Sequence, residues 1–456
     1  MTMNAIKVCE ILQNNGFSAY FVGGCVRDKF LEQPIHDIDI TTNAKPEEIQ
    51  KLFPMHIDTG LKHGTVSVKP IEESEYFEVT TYRIDGEYKD GRHPDSVEFV
   101  NDLTSDLARR DFTINAMAFN PINDSLYDPF GGLKDIENKW IHCVGNAKDR
   151  FMEDPLRVLR AMRFAIKLGF TITVNTKMAM HDPEVLDKLA NCISKERITD
   201  ELRKMLTCGK PVHDIFMEFS DIISIIIPEI KDCVNAPHNS PWHKHDIFEH
   251  ILYVVDNCET TKFEIKLAAL LHDIGKPKCR IKDENDPTID HFNGHPKISV
   301  ELAEQTFKNS LKLSNKEAEL TLKLIEKHDI HVEPTDKFIK RFINRTSIDF
   351  IRDLIILKAA DIKDHICAPD KQDKWNDLNY RFMVFAHNFE NFLILNDNTF
   401  TIKDLKINGN DIMQILNIKP SPKIGKILNE LLDDIIEDRL DNDRDELLNI
   451  VKIRYA

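Results

Sequence analysis

Three classes of protein are excluded by what this sequence lacks. Its 456 residues include only 16 glycines and 20 prolines, without the repeats of a fibrous or low-complexity chain. Its most apolar short run, residues 222–228, is far shorter than the roughly 20 residues that a membrane-spanning helix needs. Positive charge is also scarce, since 60 lysines and arginines face 76 acidic residues and leave a net charge of −16. We therefore expect no fibre, no membrane partner and no protein that coats polyanions over its whole surface.

The cysteine pattern of a secreted protein is missing as well. The nine cysteines show neither CxxC spacing nor a disulfide-like cluster. The first residues lack the charged and then apolar pattern of a secretory signal. These features predict a cytoplasmic location. A content of 42% hydrophobic and 30% charged residues is typical of a globular chain, which at this length forms about two to four domains.

Strand patterns occur only in the first third of the chain. Strands are predicted at residues 19–24 (AYFVGG), 35–41 (IHDIDIT) and 77–83 (FEVTTYR). From about residue 150 the pattern becomes helical, as at residues 155–167 and 264–271. The predicted fold class is therefore α+β, with an α/β head on a long helical body.

Four domains are predicted in series. They are the α/β head (residues 1–145), a helical neck (146–235), a histidine-rich helical domain (243–365) and a helical tail (366–456). Residues 235–244 (NAPHNSPWHK) are rich in Pro, Asn and His and are interpreted as a linker. The acidic stretch at 431–446 is interpreted as a solvated helix face.

Two glycines end the first predicted strand and lead into a helix. Gly23 and Gly24 leave the amides and the positive dipole end of that helix open to a phosphate, and Arg27 adds a full positive charge. A tight structural turn is the simpler explanation when the glycine pair is considered alone. In combination with the motifs that follow, the segment predicts a nucleotide-binding turn.

A pair of carboxylates follows on the second predicted strand. Asp37 and Asp39 stand two residues apart, so on a strand both point to one face, where they can share divalent cations. Hard oxygen ligands of this kind suit Mg²⁺, which polymerases use to activate a hydroxyl and to hold a triphosphate. Glu78, on the third predicted strand, is the candidate for a third carboxylate. Exposed strand positions without a function are the alternative interpretation.

Charged residues also cluster in two later segments. Arg109 and Arg110 are able to meet phosphate oxygens, and Asp111 a ribose hydroxyl, although a salt-bridged helix start is the alternative. Asp154 precedes Pro155, which is typical of a helix N-cap and requires no function. The row of arginines that follows is less easily explained by structure alone, and guanidinium and carboxylate groups can bond the edge of a nucleobase. These arginines are Arg157, Arg160 and Arg163.

Seven segments, in order, resemble the bacterial CCA-adding tRNA nucleotidyltransferases, class II enzymes whose relatives include bacterial poly(A) polymerases. They are GGCVRD, HDIDI, FEVTTYR, ARRDFTINAM, DPFGGLKDI, EDPLRVLRAMRFAIKLGF and ERITDEL, within residues 16–206. A weaker similarity follows at residues 405–425 (LKINGNDIMQILNIKPSPKIG). The resemblance implies transfer of CMP, CMP and AMP from CTP and ATP to the 3′ end of tRNA, without a nucleic-acid template.

The resemblance also implies a role for each candidate residue. Asp37 and Asp39 would hold Mg²⁺, and Asp111 would select the ribose. The triphosphate-binding residues it implies are Gly24, Arg27 and one of Arg109 and Arg110. Asp154 and Arg157 would read the Watson–Crick edge of the incoming base, supported by Arg160 and Arg163. Glu196 and Arg197 match the neck motif of the family and would brace the base-reading helix.

The segment at residues 83–94 (RIDGEYKDGRHP) resembles the loop that family members use when they switch from C to A addition. Its presence argues against an enzyme that adds only CC. The family tract carries two adjacent arginines, whereas here Arg92 is followed by His93.

The histidine-rich domain predicts a second metal site. His250, the pair His272 and Asp273, and Asp361 follow the order H…HD…D of the HD-domain metal phosphohydrolases, which this module resembles. Neutral imidazoles with carboxylates suit a transition metal. His295 and His328 could supply a second ion. An HD fold that has lost its activity is the alternative, while an active one would hydrolyse phosphomonoesters or 2′,3′-cyclic phosphates at RNA ends.

Three functional hypotheses follow from these patterns. The first is a CCA-adding enzyme with tRNA, ATP and CTP as partners. The second, in the same chemistry, is a poly(A) polymerase. The third makes the HD module the main activity, as a metal phosphohydrolase with an RNA-binding head, and the intact pair Asp37 and Asp39 argues against it. The sequence leaves the oligomeric state unknown.

Overall fold

The computed structural model describes residues 3–35, 37–86, 96–240, 243–365, 372–395, 402–437 and 439–455. Two compact units divide the chain. The first comprises residues 1–231 with 306–313, and the second comprises residues 232–305 with 314–456. None of the described helices combines the length and apolar composition that crossing a bilayer requires.

A seven-stranded sheet organises the first unit. Its strands are β1 (Ala19–Val22), β2 (Asp39–Thr42), β3 (His56–Gly60), β4 (Thr65–Val68), β5 (Phe77–Thr81), β8 (Ala118–Asn120) and β9 (Ser125–Tyr127). Their order across the sheet is β3-β4-β5-β2-β1-β8-β9. Strands β2 and β5 are parallel, and the other neighbours are antiparallel. Two shorter ribbons pair β6 (Arg83–Asp85) with β7 (Val97–Phe99) and β10 (Trp140–Ile141) with β11 (Thr171–Ile172).

The central strands differ slightly from the sequence prediction. β1 ends at Val22, and β2 begins only at Asp39, so Asp37 precedes the strand instead of lying on it. The strand predicted at residues 77–83 is interrupted at Tyr82. Ile40, Thr41 and Thr42 are buried, as expected of a central strand that is covered on both faces.

Twelve helices of the first unit surround this sheet and continue beyond it in the described residues. They are α1 (Met3–Asn14), α2 (Gly24–Phe30), α3 (Pro46–Leu52), α4 (Leu103–Ala108), α5 (Gly132–Glu137), α6 (Ala147–Glu153), α7 (Leu156–Leu168), α8 (Val174–Met180), α9 (Pro183–Cys192), α10 (Lys195–Thr207), α11 (His213–Glu218) and α12 (Ser220–Ile226).

Helix α7 carries the arginine row. It begins at Leu156, directly after Pro155, and ends at Gly169, which adopts the left-handed conformation with φ 67°. Its apolar side chains recur at helical spacing and are buried, partly against α10. Because the apolar face of α7 is packed in this way, its arginines face the candidate site residues of the sheet.

The second unit is helical. Its helices are α13 (Ile247–Asn257), α14 (Phe263–Leu271), α15 (His295–Asn309), α16 (Asn315–Lys327), α17 (Asp336–Arg345), α18 (Ile348–Asp364), α19 (Gln372–Leu395), α20 (Gly409–Leu416), α21 (Pro422–Ile436) and α22 (Arg444–Tyr455), with a small ribbon of β12 (Ile281–Lys282) and β13 (Asp290–His291). The last residues of α15, 306–309, belong to the first unit. Helices α13, α14, α16 and α18 pack against one another. The sequence thus predicted the α+β class correctly.

The acidic stretch near the C-terminus does more than face solvent. Leu431 and Leu432 belong to the core formed by α20, α21 and α22. Asp434 is buried, and its carboxylate accepts hydrogen bonds from Arg439, at 2.8 Å from Nε, and from Arg454. For this part of residues 431–446 the prediction of a solvated face is wrong, because arginines from the next turn and helix pair with the carboxylate.

Candidate functional site

Three carboxylates converge at one end of the central strands β2 and β5. In the parallel pair of β2 and β5, Asp39 lies directly opposite Glu78. Loss of hydration raises the pKa of Asp39, Arg110 counteracts this, and Asp37 raises it further. The pKa of Glu78 is also raised, by loss of hydration and then by Asp39 and Asp37. These carboxylates repel one another, which is the arrangement that a divalent cation relieves.

Gly23 makes room for this group. It has φ 76°, a region that residues with a side chain rarely adopt. A Cβ atom at this position would lie 3.1 Å from Nη1 of Arg110 and 3.6 Å from Oδ2 of Asp39. The glycine that ends β1 therefore allows the arginine and the aspartate to approach the start of α2.

The two adjacent arginines are anchored by a buried carboxylate, Asp106. Arg109 donates to Oδ1 of Asp106 from Nε at 3.0 Å and from Nη2 at 2.8 Å. Nη2 of Arg110 lies 3.8 Å from Oδ2 of the same residue, which also accepts from the hydroxyl of Thr41 at 3.1 Å. Asp106 was not assigned a role from the sequence, although it lies only two residues before the ARRDFTINAM segment.

Asp111 lies in a second network of charges. Its Oδ2 accepts from Nε of Arg160 at 2.8 Å, and its Oδ1 accepts from Nδ2 of Asn115 at 3.1 Å. Asn115 in turn accepts from Nη1 of the buried Arg27 at 2.8 Å. Burial alone would raise the pKa of Asp111, but the guanidinium of Arg160 and the bond from Asn115 hold it well below its usual range. Asn115 is a second residue that sequence reasoning did not assign.

The residues predicted to read the base are also held in place. Asp154 accepts from the backbone N–H of Leu156 at 3.1 Å and from Nη2 of Arg197 at 2.7 Å, while Pro155 and not Asp154 occupies the N-cap position of α7. Arg157 donates to Oε2 of Glu153 at 2.8 Å and to the backbone carbonyl of Arg109 at 3.0 Å. Both side chains therefore have fixed orientations before any ligand binds.

Three arginines of the site contact the aromatic ring of Phe164. The guanidinium carbons of Arg27, Arg160 and Arg163 lie 5.1, 5.5 and 4.1 Å from the ring centre of Phe164. Arg163 also donates to Oε2 of the buried Glu201 at 2.5 Å. These cation–π contacts and ion pairs keep the positive charges facing one space.

That space is a cavity of about 650 Å³. Its lining includes the sequence-predicted residues Gly23, Gly24, Arg27, Asp37, Asp39, Arg109, Arg110, Asp111, Asp154, Arg157, Arg160 and Arg163. Glu78 is not part of this lining. Sequence reasoning did not assign the lining residues Cys25, Asp28, Asn115, Leu156, Phe164 and Lys167. Eight basic side chains against five acidic ones line the cavity, which therefore favours an anion even though the chain as a whole is acidic.

A second candidate site lies in the helical unit, where all six predicted ligands come together. Nε2 of His250, on α13, lies 3.2 Å from Oδ1 of Asp361 and 3.4 Å from Oδ2 of Asp273. Nε2 of His272 lies 3.2 Å from the same oxygen of Asp273. Nδ1 of His250 lies 2.8 Å from Oδ2 of Asp364, which orients the ring and was not predicted.

The other oxygen of Asp273 faces two further histidines. Oδ1 lies 3.1 Å from Nε2 of His295 and 3.7 Å from Nε2 of His328, and the two imidazole nitrogens are 3.0 Å apart. Asp273 thus stands between two groups of donors, one on each carboxylate oxygen. Gly275 permits this arrangement, because a Cβ atom there would lie 2.7 Å from the backbone carbonyl oxygen of His295.

The histidine tautomers suit metal binding. Nδ1 of His272, His295 and His328 lies 2.8, 2.9 and 2.7 Å from the backbone carbonyl oxygens of Ala269, Phe292 and Ile325. A carbonyl oxygen only accepts, so each Nδ1 carries the proton and each Nε2 of the neutral ring offers a lone pair to the cluster. Burial lowers the pKa of His328 well below its usual value, which keeps that ring neutral. The donor set therefore fits a transition metal.

The predicted linker contributes to this site. His238 is buried, and its Nε2 lies 2.8 Å from Nζ of Lys276, which also lies 2.5 Å from Oδ2 of Asp273. Asn239 donates from Nδ2 to Oδ2 of Asp290 at 2.9 Å. Part of the predicted linker, His238 above all, is thus packed against the cluster. Most of the predicted switching loop, including Arg92 and His93, lies outside the described residues.

Similarity to known protein families covers most of the chain. The Poly A polymerase head domain matches residues 19–142, and the model named "Probable RNA and SrmB- binding site of polymerase A" matches residues 169–233. The HD domain matches residues 245–364, and the tRNA nucleotidyltransferase domain 2 matches residues 372–451.

Individual relatives agree with these matches. The CCA-adding enzyme of Lactobacillus delbrueckii subsp. bulgaricus is 48% identical over 47% of this chain, and the similar region spans about half (52%) of that relative's length. A crystal structure of the Bacillus stearothermophilus CCA-adding enzyme in complex with CTP is 26% identical and superposes with a TM-score of 0.69, covering 100% of this chain and 98% of that one. The CCA-adding enzyme of Staphylococcus haemolyticus is 32% identical over 98% of this chain and 97% of its own. This chain therefore belongs to the family of CCA-adding enzymes.

Proposed function

We propose that this protein is a template-independent tRNA nucleotidyltransferase that adds CMP, CMP and AMP from CTP and ATP to the 3′ end of tRNA. The observation that carries the proposal is a single cavity lined by Asp37 and Asp39, by anchored arginines and by Asp154 and Arg157. Such a cavity can place a nucleotide's base and triphosphate at opposite ends of one binding site. Full-length similarity to the S. haemolyticus CCA-adding enzyme supports the same conclusion.

In the proposed reaction, the terminal hydroxyl oxygen of the RNA attacks the α-phosphorus of the nucleotide. A new P–O bond forms, the bond to the β-phosphate oxygen breaks, the hydroxyl proton is released and pyrophosphate leaves. Arg27, Arg109 and Arg110 would neutralise the negative charge of the triphosphate. Their positions are fixed in advance by Asn115 and Asp106, so little reorganisation is needed when the nucleotide binds.

Asp37 and Asp39, with Glu78 beside them, are the residues that would hold Mg²⁺. The proximity of these carboxylates and the raised pKa values of Asp39 and Glu78 fit a cation site. When bound, the ion supplies charge neutralisation for the triphosphate and lowers the pKa of the attacking hydroxyl.

Base selection is proposed to reside in Asp154 and Arg157. A carboxylate accepts from an exocyclic amino group, and a guanidinium donates to a ring nitrogen or carbonyl, so together they read the donor and acceptor edge of a base. Arg197 and Glu153 fix these two groups. We also propose that Gly23 and Gly24 approach the phosphates, that Asp111 bonds the ribose, and that Arg160 and Arg163 support the base-reading pair.

The division of labour along the chain is part of this proposal. Residues 1–145 would form the catalytic head, 146–235 the neck, 243–365 the HD domain and 366–456 a tail that binds tRNA. We propose a cytoplasmic location. The eight described cysteines without a disulfide are compatible with a reducing compartment.

One assay tests the activity. The protein is incubated with Mg²⁺, tRNA that lacks its 3′ CCA, and labelled CTP or ATP, and product length is measured. Ordered addition of C, C and A is the expected result. An A-only tail would instead indicate a poly(A) polymerase. Absence of incorporation would refute both readings.

We propose a metal phosphohydrolase as a second candidate function of the helical unit. The specific observation that favours it is the buried cluster around Asp273, with three histidine Nε2 atoms directed inward. A metal ion bound by His250, His272, Asp273 and Asp361 would supply an activated water for attack on a phosphate ester. His295 and His328 would hold a second ion. Release of phosphate from an RNA 3′-phosphate or opening of a 2′,3′-cyclic phosphate, abolished in His272→Gln, is the expected result.

A further inference from the structure

Two histidines that neither the sequence pattern nor the HD-domain match includes lie beside His250. His243 precedes α13 and His365 follows α18, just beyond either end of the matched residues 245–364. The ring centre of His243 lies 4.5 Å from that of His250 and 4.3 Å from that of His365. One nitrogen from each of the three imidazoles lies within 4.8 Å of the other two, so the three rings can share one ion.

A carboxylate completes this group. Oδ1 of Asp361 lies 3.2 Å from Nε2 of His250 and 3.6 Å from Nε2 of His365. Metal–nitrogen and metal–oxygen bonds of about 2.0–2.2 Å place neighbouring ligand atoms about 3–3.5 Å apart around one ion. The two separations from Asp361 are close to this range, and the nitrogen of His243 lies within 4.8 Å of those of His250 and His365.

We propose that His243 and His365 are metal ligands, and that with His250 and Asp361 they form a site of three imidazoles and one carboxylate for a divalent transition metal. This inference rests on the metal centre proposed above and changes its composition. The pattern H…HD…D assigns two imidazoles, those of His250 and His272, and two carboxylates to the first ion. With the two added histidines, His272 and Asp273 are free to serve the group that contains His295 and His328.

The site has an access route. A cavity of about 190 Å³ is lined by Asp361 and His365, and by Leu378 and Phe382 from α19. Two of the proposed ligands, Asp361 and His365, are therefore accessible from this cavity.

The test is metal binding by the full-length protein. Metal-free protein is dialysed against Co²⁺ with excess Mg²⁺, and bound cobalt and its visible absorption are measured for the unaltered chain and for His243→Gln, His365→Gln and His250→Gln. His387→Gln is the matched control, because this exposed histidine on α19 bonds only Asn391 among the contacts described for it. Circular dichroism establishes that each variant is folded.

We expect His243→Gln and His365→Gln each to weaken the binding of one cobalt ion at least about tenfold and to change its absorption, as loss of a ligand does. His387→Gln should leave both unchanged. Cobalt binding and absorption identical to those of the unaltered chain in the first two variants, with a loss in His250→Gln, would overturn this inference and retain the metal centre. Equal binding by the unaltered chain and His250→Gln would overturn both, while nucleotide addition by the head would be unaffected by either outcome.

Discussion

Arg160 binds Asp111 through two hydrogen bonds to a single carboxylate oxygen, with Nε at 2.8 Å and Nη2 at 2.5 Å from Oδ2. The other oxygen accepts from Asn115 and from the backbone N–H of Phe112. Asp111 is thus part of the protein's own charge network. A ribose hydroxyl could bind it only at a remaining lone pair, with the orientation of the carboxylate already set by Arg160.

Arg160→Gln should destabilise the protein and expose Asp111 to titration. The side chain of Asp111 is 7% exposed and that of Arg160 33%, so we expect a loss of about 1–3 kcal/mol in the free energy of unfolding at neutral pH, less than for a fully buried pair. The pKa of Asp111 is depressed in the folded state. The contribution of the pair is therefore present above the unfolded pKa of about 4 and is lost as the pH falls towards the folded value.

Urea unfolding at a series of pH values between about 3 and 7 measures this change in the free energy of unfolding. Arg352→Gln is the control, because the pair of Arg352 and Glu390 has side chains 48% and 50% exposed. The free energy of unfolding of Arg352→Gln should be close to that of the unaltered chain at every pH. A difference between Arg160→Gln and the unaltered chain that does not shrink as the pH falls would contradict the assignment.

Asp39→Asn should abolish nucleotide addition while the protein remains folded. Its carboxylate, opposite Glu78, is one of the proposed ligands for Mg²⁺, and an amide cannot replace its charge. We expect incorporation of CMP into tRNA to fall by more than about three orders of magnitude. Asp58→Asn, at an exposed position on β3, should retain activity. Equal rates in the two variants would remove Asp39 from the proposed catalytic centre.

Gly23→Ala should lower activity more than its effect on stability explains. Its positive φ of 76° makes any side chain costly by about 1–2 kcal/mol, and its Cβ would crowd the guanidinium of Arg110, 3.1 Å from Nη1. Gly16→Ala shares the positive φ, at 86°, but its Cβ would meet no atom within 4 Å. Thermal unfolding and initial rates, measured well below the melting temperature, separate the two effects. Comparable activities in both variants would show that crowding at Gly23 is unimportant.

Arg197→Gln should impair nucleotide choice more than the rate of addition. Arg197 holds Asp154 at 2.7 Å without reaching the carboxylates of the catalytic centre, which makes it a positioning residue. We expect the kcat/KM ratio of CTP to UTP to fall about tenfold, the equivalent of one well-placed hydrogen bond. Lys195→Gln removes a charge from the same helix, where the lysine bonds only the carbonyl of Lys308 among its described contacts, and is the control. A uniform loss of rate for all nucleotides would instead indicate a general structural role.

Local sequence patterns predicted three of the strands of the head and most of the residues that line its cavity. Three of these patterns depend only on residues that are close together in the sequence. They are the glycine pair, the two aspartates two residues apart and the spacing of the arginines in α7. The predicted strand at residues 35–41 was too long at its start, because pairing of β2 with β1 and β5 begins only at Asp39. Periodicity indicates a strand, but hydrogen bonding to neighbours decides its end.

Partners that are distant in sequence were not predictable in the same way. Asp106 lies just before the ARRDFTINAM segment, yet its role depends on its burial and on its hydrogen bond with Thr41. His238 and His243 were read as parts of a linker because Pro and Asn surround them, and only the packing of α13 and α18 brings His243 to His250.

The sequence by itself determined the order of secondary structure and the chemical types available at each site, because helix and strand periodicity and short motifs depend on neighbours in the chain. Only the tertiary structure decided which charge meets which. Contacts such as Arg160 with Asp111 or His250 with Asp361 need the core to bury those groups together, and burial is what makes their pairing strong and specific.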